Sequence, residues 1–353
     1  MPGDLYYITA FVVSLVVVLI STPIVNHIGH LTGYVDQPGE RKIHNRPMVR
    51  LGGVAIFLGF IVAVSLVWLL GAFGTPAPEK KMEILGLLIG ALLFFFIGLA
   101  DDLFSLSPSV RLFLQIVVAS LAWYWGVKID FISLPFIGII DLGWFGAPLT
   151  IVWLVGMANA INWIDGVDGL AAGVSGISAV VMLIVTLFVG REGGAGAALI
   201  AASLAGAALG FLRYNFNPAQ IFMGDGGSYF MGFTLAGLGT IGLVKSLAVT
   251  AILLPYLILA VPIVDMTFVI LSRISQGRSP FLADKRHLHH RLLNAGISQK
   301  STVLFIYALT FWVGSLALGF SNVPSGWGFA VASTIILLYV GWQIWRERSI
   351  NQG

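Results

Sequence analysis

Eleven apolar runs make up most of the chain and constrain its fold more than any other feature. The hydrocarbon core of a bilayer is about 30 Å thick, so a helix needs roughly 20 mostly apolar residues to cross it. Only 10% of the residues are charged, against about 25% in a typical soluble protein. We therefore expect an all-α polytopic membrane protein with a single domain, residues 1–353. The expected spans are 5–25, 51–73, 83–100, 110–127, 147–163, 171–190, 195–212, 229–244, 247–270, 302–320 and 328–345.

Lysine and arginine are distributed unevenly between the two sets of connecting segments. If the spans alternate in direction, 14 of the 19 cations lie on the side that carries segment 26–50. Cytoplasmic loops are enriched in Lys and Arg, so this side is predicted to be cytoplasmic, with the N-terminus outside and the C-terminus inside. All six histidines fall on the same side. The first run lacks a preceding cationic region and a cleavage site, so it is expected to be a retained span.

The chain has no cysteine, which excludes disulfides, thiolate metal sites and cysteine nucleophiles. The segment 128–146, between the fourth and fifth expected spans, is predicted to form a short external β-hairpin. Asp265 lies late in the ninth expected span and is interpreted as a structural polar residue between helices.

The stretch Asn159–Leu170 places two carboxylates and two carboxamides inside a very apolar sequence. Asn159, Asn162 and Asp165 are three residues apart, so a helix would present them on roughly one face. Glycines after Asp165 and Asp168 are expected to end that helix. Polar groups beside a bilayer cost free energy unless they are paired, which indicates a site. The alternative is a polar connection whose side chains cap helix ends.

Two further acidic motifs lie on the predicted cytoplasmic side. Asp101 and Asp102 are adjacent, and burial raises the pKa of such carboxyls, so they suit a general base or a divalent-metal site. The alternative for this pair is a solvated helix end. Asp225 lies between glycines that allow a ligand to approach the backbone closely. It is expected to meet a metal-bound phosphate, although Gly-Asp-Gly-Gly-Ser alone is also an ordinary turn.

The cytoplasmic segment 271–301 combines six cations with three clustered histidines. His287, His290 and Arg291 are spaced so that one helical face could present them to phosphate oxygens. An ordinary cationic inner loop or a histidine zinc site are the alternatives. A weaker mixture of the same residue types follows Asp36, and it is expected either to take part in catalysis or to bind anionic lipid headgroups.

Together these motifs resemble those of the polyprenyl-phosphate N-acetylhexosamine-1-phosphate transferases. They are Arg-Lys-Ile-His44 with Gly52-Gly53, Asp101-Asp102 with Leu-Ser-Pro, Asn159–Leu170, Gly-Asp225-Gly-Gly-Ser, and His287-Leu-His-His-Arg-Leu. The resemblance covers residues 41 to 292 in family order. It implies transfer of N-acetylglucosamine-1-phosphate, or a related sugar phosphate, from a UDP-N-acetylhexosamine to undecaprenyl phosphate, with release of UMP. It also implies an active site at the cytoplasmic face of the bacterial cytoplasmic membrane.

The resemblance further implies roles for individual residues. Asp225 is the expected Mg²⁺ ligand, with Asn162 next and Mn²⁺ as a substitute metal. Asp101 and Asp102 would assist the metal or deprotonate the acceptor. Asp168 and Asn215 would hydrogen-bond the uracil, with Asp165 beside them as a catalytic residue. The remaining residues expected to bind substrate are Asn159, His287, His289, His290, Arg291, Lys42, His44 and Arg46.

Alternatives within and outside this family stay open at the level of sequence. The muropeptide branch, the phospho-N-acetylmuramoyl-pentapeptide transferases, usually carries three consecutive histidines, which Leu288 interrupts here. A proton-coupled transporter would keep its acids near the membrane midplane in repeated halves, and a lipid-binding scaffold would leave the paired acids unexplained. We expect the lipid phosphate to attack directly rather than through a covalent enzyme intermediate. The expected partners are the nucleotide sugar, the polyprenyl phosphate and the bilayer, without nucleic acid, in a monomer or a homodimer.

Overall fold

The computed structural model describes residues 3–37, 47–74, 76–134, 138–189, 194–244, 253–277 and 286–351. Within these residues α-helices predominate. The helices are α1 (Gly3–Thr32), α2 (Gly52–Leu69), α3 (Pro78–Phe104), α4 (Pro108–Tyr124), α5 (Gly146–Ile164), α6 (Leu170–Val189), α7 (Gly194–Asn215), α8 (Gly224–Leu238), α9 (Leu253–Ile258), α10 (Ala260–Ile274), α11 (Leu288–Asn294), α12 (Gln299–Phe320) and α13 (Gly326–Asn351).

Eight helices in the described part of the chain are long and apolar enough to cross a membrane. These eight lie within α1, α2, α3, α5, α6, α7, α12 and α13. The chain is therefore a multi-pass membrane protein, as the apolar runs predict. The other three expected spans contain shorter helices, which are α4 with 17 residues, α8 with its π-helical continuation Gly239–Val244, and the consecutive pair α9 and α10.

Two short antiparallel hairpins complete the described secondary structure. Strands β1 (Val35–Asp36) and β2 (Met48–Val49) pair between α1 and α2. Strands β3 (Phe131–Leu134) and β4 (Gly138–Asp141) pair between α4 and α5. The second pair confirms the hairpin predicted for segment 128–146.

Helix α8 lies at the centre of the bundle and packs against α2, α3 and α5. Apart from Asp225, its residues from Gly224 to Leu238 are buried. Glycines on the neighbouring helices allow the close approach. A Cβ at Gly98 of α3 would overlap the carbonyl group of Asp225, and a Cβ at Gly53 of α2 would overlap the backbone nitrogen of Gly227. The start of α8 is thus wedged between two glycine-bearing helix surfaces.

The Leu-Ser-Pro part of the second motif reverses the chain between α3 and α4. Ser105 ends α3 in the left-handed conformation, with φ of 52°. Ser107 then caps α4, because its side chain accepts a hydrogen bond from the Val110 nitrogen, and Pro108 occupies the first turn. Proline is well suited there because its missing N–H has no helical partner in any case. The tight reversal brings the beginning of α4 beside the acids at the end of α3.

We predict that Gly98→Ala destabilises the protein by about 1–3 kcal/mol, because the added methyl group overpacks the α3–α8 contact. Gly341→Ala is the matched control, since a Cβ at this helical position meets nothing within 4 Å. Reversible unfolding in detergent measures both variants. Equal stability of Gly98→Ala and the native protein would contradict the close contact.

Candidate active site

Asp102 at the end of α3 caps the N-terminus of α8 and so joins two of the acidic motifs. The first backbone N–H groups of a helix have no partner within it, and Met223 at the start of α8 provides no side-chain cap. Asp102 Oδ1 accepts from the Asp225 nitrogen and Oδ2 accepts from the Gly226 nitrogen, each at 2.9 Å. Negative charge is favourable at this end of the helix dipole. Asp102 therefore holds the first turn of α8, and with it Asp225, against the end of α3.

The carboxylate of Asp225 meets the carboxamide at the end of α5. Asn162 Nδ2 donates to Asp225 Oδ1 at 2.8 Å and lies 2.9 Å from the Ser228 hydroxyl. The expectation that Asn162 and Asp225 belong to the same site is consistent with this contact. The motif around Asn162 and the motif around Asp225 are 63 residues apart in sequence and directly bonded in space.

Two arginines compensate the acids. Arg111 of α4 places Nη1 2.5 Å from Asp101 Oδ2 and 3.6 Å from Asp225 Oδ2. Arg50, just before α2, places Nη2 3.5 Å from Asp225 Oδ1 and 3.7 Å from Asp102 Oδ1. The Asp101 and Asp225 carboxyls thus share the Arg111 guanidinium. Two such carboxylates repel unless a proton or a cation lies between them.

Asp165 follows the last residue of α5 and completes the group. Desolvation, and then the neighbouring Asp225 carboxylate, raises the pKa of Asp165 well above its usual value. We call Asp101, Asp102, Asp165 and Asp225 the acid cluster. With Arg50 and Arg111, it carries a formal charge of −2 when all six groups are ionised.

The donor set of the acid cluster fits a magnesium ion. Carboxylate oxygens and carboxamide oxygens are hard ligands of the type that Mg²⁺ prefers, and Asn162 places a carboxamide beside Asp225. Within the described residues, no group of three or more His, Asp or Glu side chains is placed so that it could hold a metal ion. Mg²⁺ commonly keeps several waters and binds only one or two carboxylates together with substrate phosphates.

The histidine motif forms a second group at the same end of the bundle. His287 precedes α11, with ψ of 151°, so it is not part of the helix. The expectation that His287, His290 and Arg291 share one helical face is therefore wrong. Asp265 of α10 instead fixes the motif, since Oδ2 lies 2.7 Å from His287 Nδ1 and Oδ1 accepts from the Leu288 nitrogen at 2.6 Å. Asp265 is buried within α10, and its carboxylate joins this helix to the start of α11. It is therefore a polar residue between helices, as the sequence predicts, and it also orients a candidate site residue.

His289 connects the histidine motif to the acid cluster. Its Nε2 atom is buried and has no hydrogen-bond partner among the described residues. The same atom lies 3.0 Å from the position of a Cβ at Gly166, directly after Asp165. Burial, and then the His290 and His287 rings, lowers the pKa of His289 to about 3. His289 is thus a neutral hydrogen-bonding group, which contributes no positive charge to phosphate binding.

Asp168 and Asn215 hold the segment after α5 against the segment after α7 by hydrogen bonds. Asp168 Oδ2 accepts from Asn217 Nδ2 at 3.1 Å and from the Ala219 nitrogen at 3.0 Å. Asn215 Oδ1 accepts from the Gly169 nitrogen, and its Nδ2 donates to the Ile221 carbonyl. Asn215 is 2% exposed, so its contacts in this structure favour a positioning role. The expected contact of Asp168 and Asn215 with uracil stays a prediction.

Other expected site residues are not brought to the acid cluster. Asn159 Nδ2 donates to Gln115 of α4 at 2.7 Å and to the Val155 carbonyl, so it faces a neighbouring helix instead. The Arg291 guanidinium lies over the Phe268 ring, 5.0 Å from its centroid. His290 contacts the His289 ring. Lys42, His44 and Arg46 lie outside the described residues.

Comparison with known proteins agrees with the family resemblance that the motifs indicate. The family model described as "Glycosyl transferase family 4" matches residues 84–243. The probable undecaprenyl-phosphate N-acetylglucosaminyl 1-phosphate transferase of Bacillus subtilis is 42% identical over 307 residues, covering 86% of this chain and 82% of the relative. The chain belongs to this family of polyprenyl-phosphate N-acetylhexosamine-1-phosphate transferases.

More distant relatives in the family carry related names. The decaprenyl-phosphate N-acetylglucosaminephosphotransferase of Mycobacterium tuberculosis H37Rv is 36% identical over 306 residues, covering 81% of this chain and 75% of the relative. The undecaprenyl-phosphate alpha-N-acetylglucosaminyl 1-phosphate transferase of Escherichia coli K12 is 28% identical over 328 residues, covering 89% and 84%. The names of these relatives favour the N-acetylglucosamine branch over the muropeptide branch. Family membership favours a transferase over the transporter and scaffold alternatives.

We predict that Asp265→Asn lowers turnover by about 10-fold or more, because second-layer carboxylates fix the orientation of the histidine they contact. The asparagine still accepts from the Leu288 nitrogen, so the fold should be retained. Asp141→Asn is the control, since this carboxylate lies on the exposed hairpin and, in the part of the chain that the structure describes, accepts a hydrogen bond from the nearby Gly143 nitrogen. Turnover and thermal unfolding are measured for both. A native rate for a folded Asp265→Asn protein would show that the contact with His287 is unnecessary.

Proposed function

We propose that the protein transfers N-acetylglucosamine-1-phosphate from UDP-N-acetylglucosamine to undecaprenyl phosphate. The products are undecaprenyl-diphospho-N-acetylglucosamine and UMP, in a first membrane step of cell-surface glycan synthesis. The names of the relatives support the substrate pair. The observation that carries the proposal is the direct bonding of Asp102, Asn162 and Asp225 at one end of the helix bundle.

In the proposed reaction a phosphate oxygen of the lipid attacks the β-phosphorus of the nucleotide sugar. A new phosphorus–oxygen bond forms, and the bond from the β-phosphorus to the oxygen it shares with the α-phosphorus breaks, so UMP leaves. Catalysis of phosphoryl transfer rests on positioning and on stabilising negative charge. The residues around Asp225 are of the kind this chemistry needs, since they combine hard oxygen ligands with guanidinium groups.

Asp225 would hold Mg²⁺, with the Asn162 carboxamide beside it and Mn²⁺ as a substitute. When bound, such a metal neutralises pyrophosphate charge and orients the phosphates. Asp102 positions Asp225 through the α8 backbone. Asp101 is the better candidate to deprotonate or orient the acceptor phosphate, because it uses a side-chain ion pair with Arg111 rather than backbone contacts.

The histidine motif would hold the sugar diphosphate by hydrogen bonds. His287 would present its remaining ring nitrogen, because Asp265 contacts the other. His289 would use its buried Nε2 beside Gly166, which has no hydrogen-bond partner among the described residues. Asp168 Oδ2 accepts hydrogen bonds from Asn217 and Ala219, and Oδ1 would accept a hydrogen bond from the uracil. The expectation that Lys42, His44 and Arg46 bind substrate stays a prediction, because they lie outside the described residues.

The protein in detergent should release UMP when it is given UDP-N-acetylglucosamine, undecaprenyl phosphate and Mg²⁺, and EDTA should abolish the release. Asp225→Ala should fold but lose turnover, because it removes the proposed metal ligand, whereas Asp141→Asn should keep it. Release is measured by chromatography of the nucleotide products. Turnover that persists in EDTA, or a native rate for Asp225→Ala, would exclude the metal site proposed here.

Omitting the lipid from this assay separates the two mechanisms. Direct attack predicts no UMP without the lipid acceptor, because no enzyme group takes the sugar phosphate. A stoichiometric burst of UMP without lipid would instead identify a covalent intermediate.

We further propose eleven spans in the bacterial cytoplasmic membrane, with the acid cluster at the cytoplasmic face. The excess of Lys and Arg on that side supports this orientation. The chain has no cysteine, so one introduced thiol reports its side without background. In intact cells a membrane-impermeant maleimide should label Ile139→Cys on the exposed hairpin, and Ser275→Cys, near the histidine motif, only after permeabilisation. The reverse pattern would invert the topology.

A further inference from the structure

Arg50 contacts the acid cluster although its sequence position indicates only an ordinary cytoplasmic cation. Its guanidinium lies between Asp225 and Asp102, at 3.5 and 3.7 Å. The side chain is 45% exposed, whereas that of Asp102 is 2% exposed. Asp165 and Asp36 add to the negative potential around it. Arg50 is therefore a solvent-accessible cation on a buried anionic site.

The backbone at Arg50 is fixed to the start of α8. Val49 accepts from the Phe222 nitrogen at 2.9 Å, and Gly52 donates to the Phe222 carbonyl at 3.0 Å. Gly53 donates to the Met223 carbonyl at 2.7 Å. These bonds bracket Arg50 on both sides, so its main chain stays beside Asp225 while its long side chain is able to change direction.

The two arginines of the site are held differently. Arg111 lies 2.5 Å from Asp101 and is 26% exposed. Among the described residues, the contacts of Arg50 with carboxylates are the longer ones, and its side chain is more exposed, so it is the weaker counter-ion. A divalent cation on Asp225 would repel the guanidinium that lies 3.5 Å from the same oxygen, because like charges in a site of low dielectric interact strongly.

We propose that Arg50 is an exchangeable counter-ion that becomes a ligand for the donor diphosphate. Without metal it neutralises Asp225 and Asp102. When a divalent cation and the nucleotide bind, the guanidinium leaves the carboxylates and contacts a phosphate oxygen, for which its fork of N–H donors is well suited. This assignment rests on the proposed transferase function and adds a substrate-contacting residue to it.

The first test uses metal alone and needs no turnover. Thermal unfolding is measured against Mg²⁺ concentration for the native protein, Arg50→Gln and Arg50→Lys. Arg50→Gln should reach half-maximal stabilisation at a several-fold lower Mg²⁺ concentration, because the competing cation is gone. Arg50→Lys keeps the charge and should resemble the native protein. Arg213→Gln is the control, since that arginine lies over the Tyr214 ring at the end of α7.

The second test is steady-state kinetics with each substrate varied. Arg50→Gln should raise KM for UDP-N-acetylglucosamine by about 10-fold or more, as expected for loss of a charged hydrogen bond. KM for undecaprenyl phosphate should stay unchanged. Arg50→Lys should give an intermediate KM for the nucleotide sugar, because it keeps the charge but loses the fork.

The outcomes separate this inference from the proposed function. An unchanged or higher Mg²⁺ requirement in Arg50→Gln, or no stabilisation of the native protein by Mg²⁺, overturns the exchange. An unchanged KM for the nucleotide sugar overturns the phosphate contact. If Arg50→Gln fails to fold, Arg50→Lys serves in its place. A KM for the nucleotide sugar equal to that of the native protein would then overturn the phosphate contact. Absence of UMP release by the native protein would refute the transferase function, while a shifted Mg²⁺ requirement would still support the exchange.

Discussion

The capping of α8 by Asp102 is the interaction on which the site depends. Helix α8 starts inside the bundle, where an unpaired backbone N–H costs about 1–3 kcal/mol. Two of its first N–H groups are paired with one carboxylate from α3. Gly224 makes this geometry accessible, with φ of 75° and no room for a side chain beside the Asp102 carboxylate. The cap therefore fixes the proposed metal ligand Asp225 together with the Asn162 contact and the close packing of α8 against α2 and α3.

The four acids of the cluster have different partners and therefore different roles. Both oxygens of Asp102 bind backbone nitrogens, so its charge stabilises the fold. Asp101 is paired with Arg111, and Asp165 lies where burial favours its protonated form. Asp225 receives a carboxamide on one oxygen and longer contacts from two arginines. Of the four, Asp225 is the carboxylate whose partners are most readily exchanged for a ligand.

The sequence predicted the membrane fold, the hairpin and the set of motifs that meet at one end, because hydropathy and turn chemistry are local signals. It missed Arg50 and Arg111, since any cation near a helix end looks like the usual positive loop. The expectation that Asn159 shares a helical face with Asp165 was wrong, because six residues of α-helix rotate the side-chain direction by about 120°. The role of Asp265 depends on a contact 22 residues away, which no local pattern records.

His289 contributes no positive charge to the site, because burial lowers its pKa to about 3. The Asp265 carboxylate contacts one ring nitrogen of His287 and fixes the direction of that ring. Arg291 lies over an aromatic ring instead of facing the acid cluster. A nucleotide diphosphate bound between the two groups would therefore find hydrogen-bond donors on one side and guanidinium groups on the other. Since charge-assisted bonds to phosphate are roughly twice as strong as neutral ones, the arginines would hold the diphosphate while the histidines set its orientation.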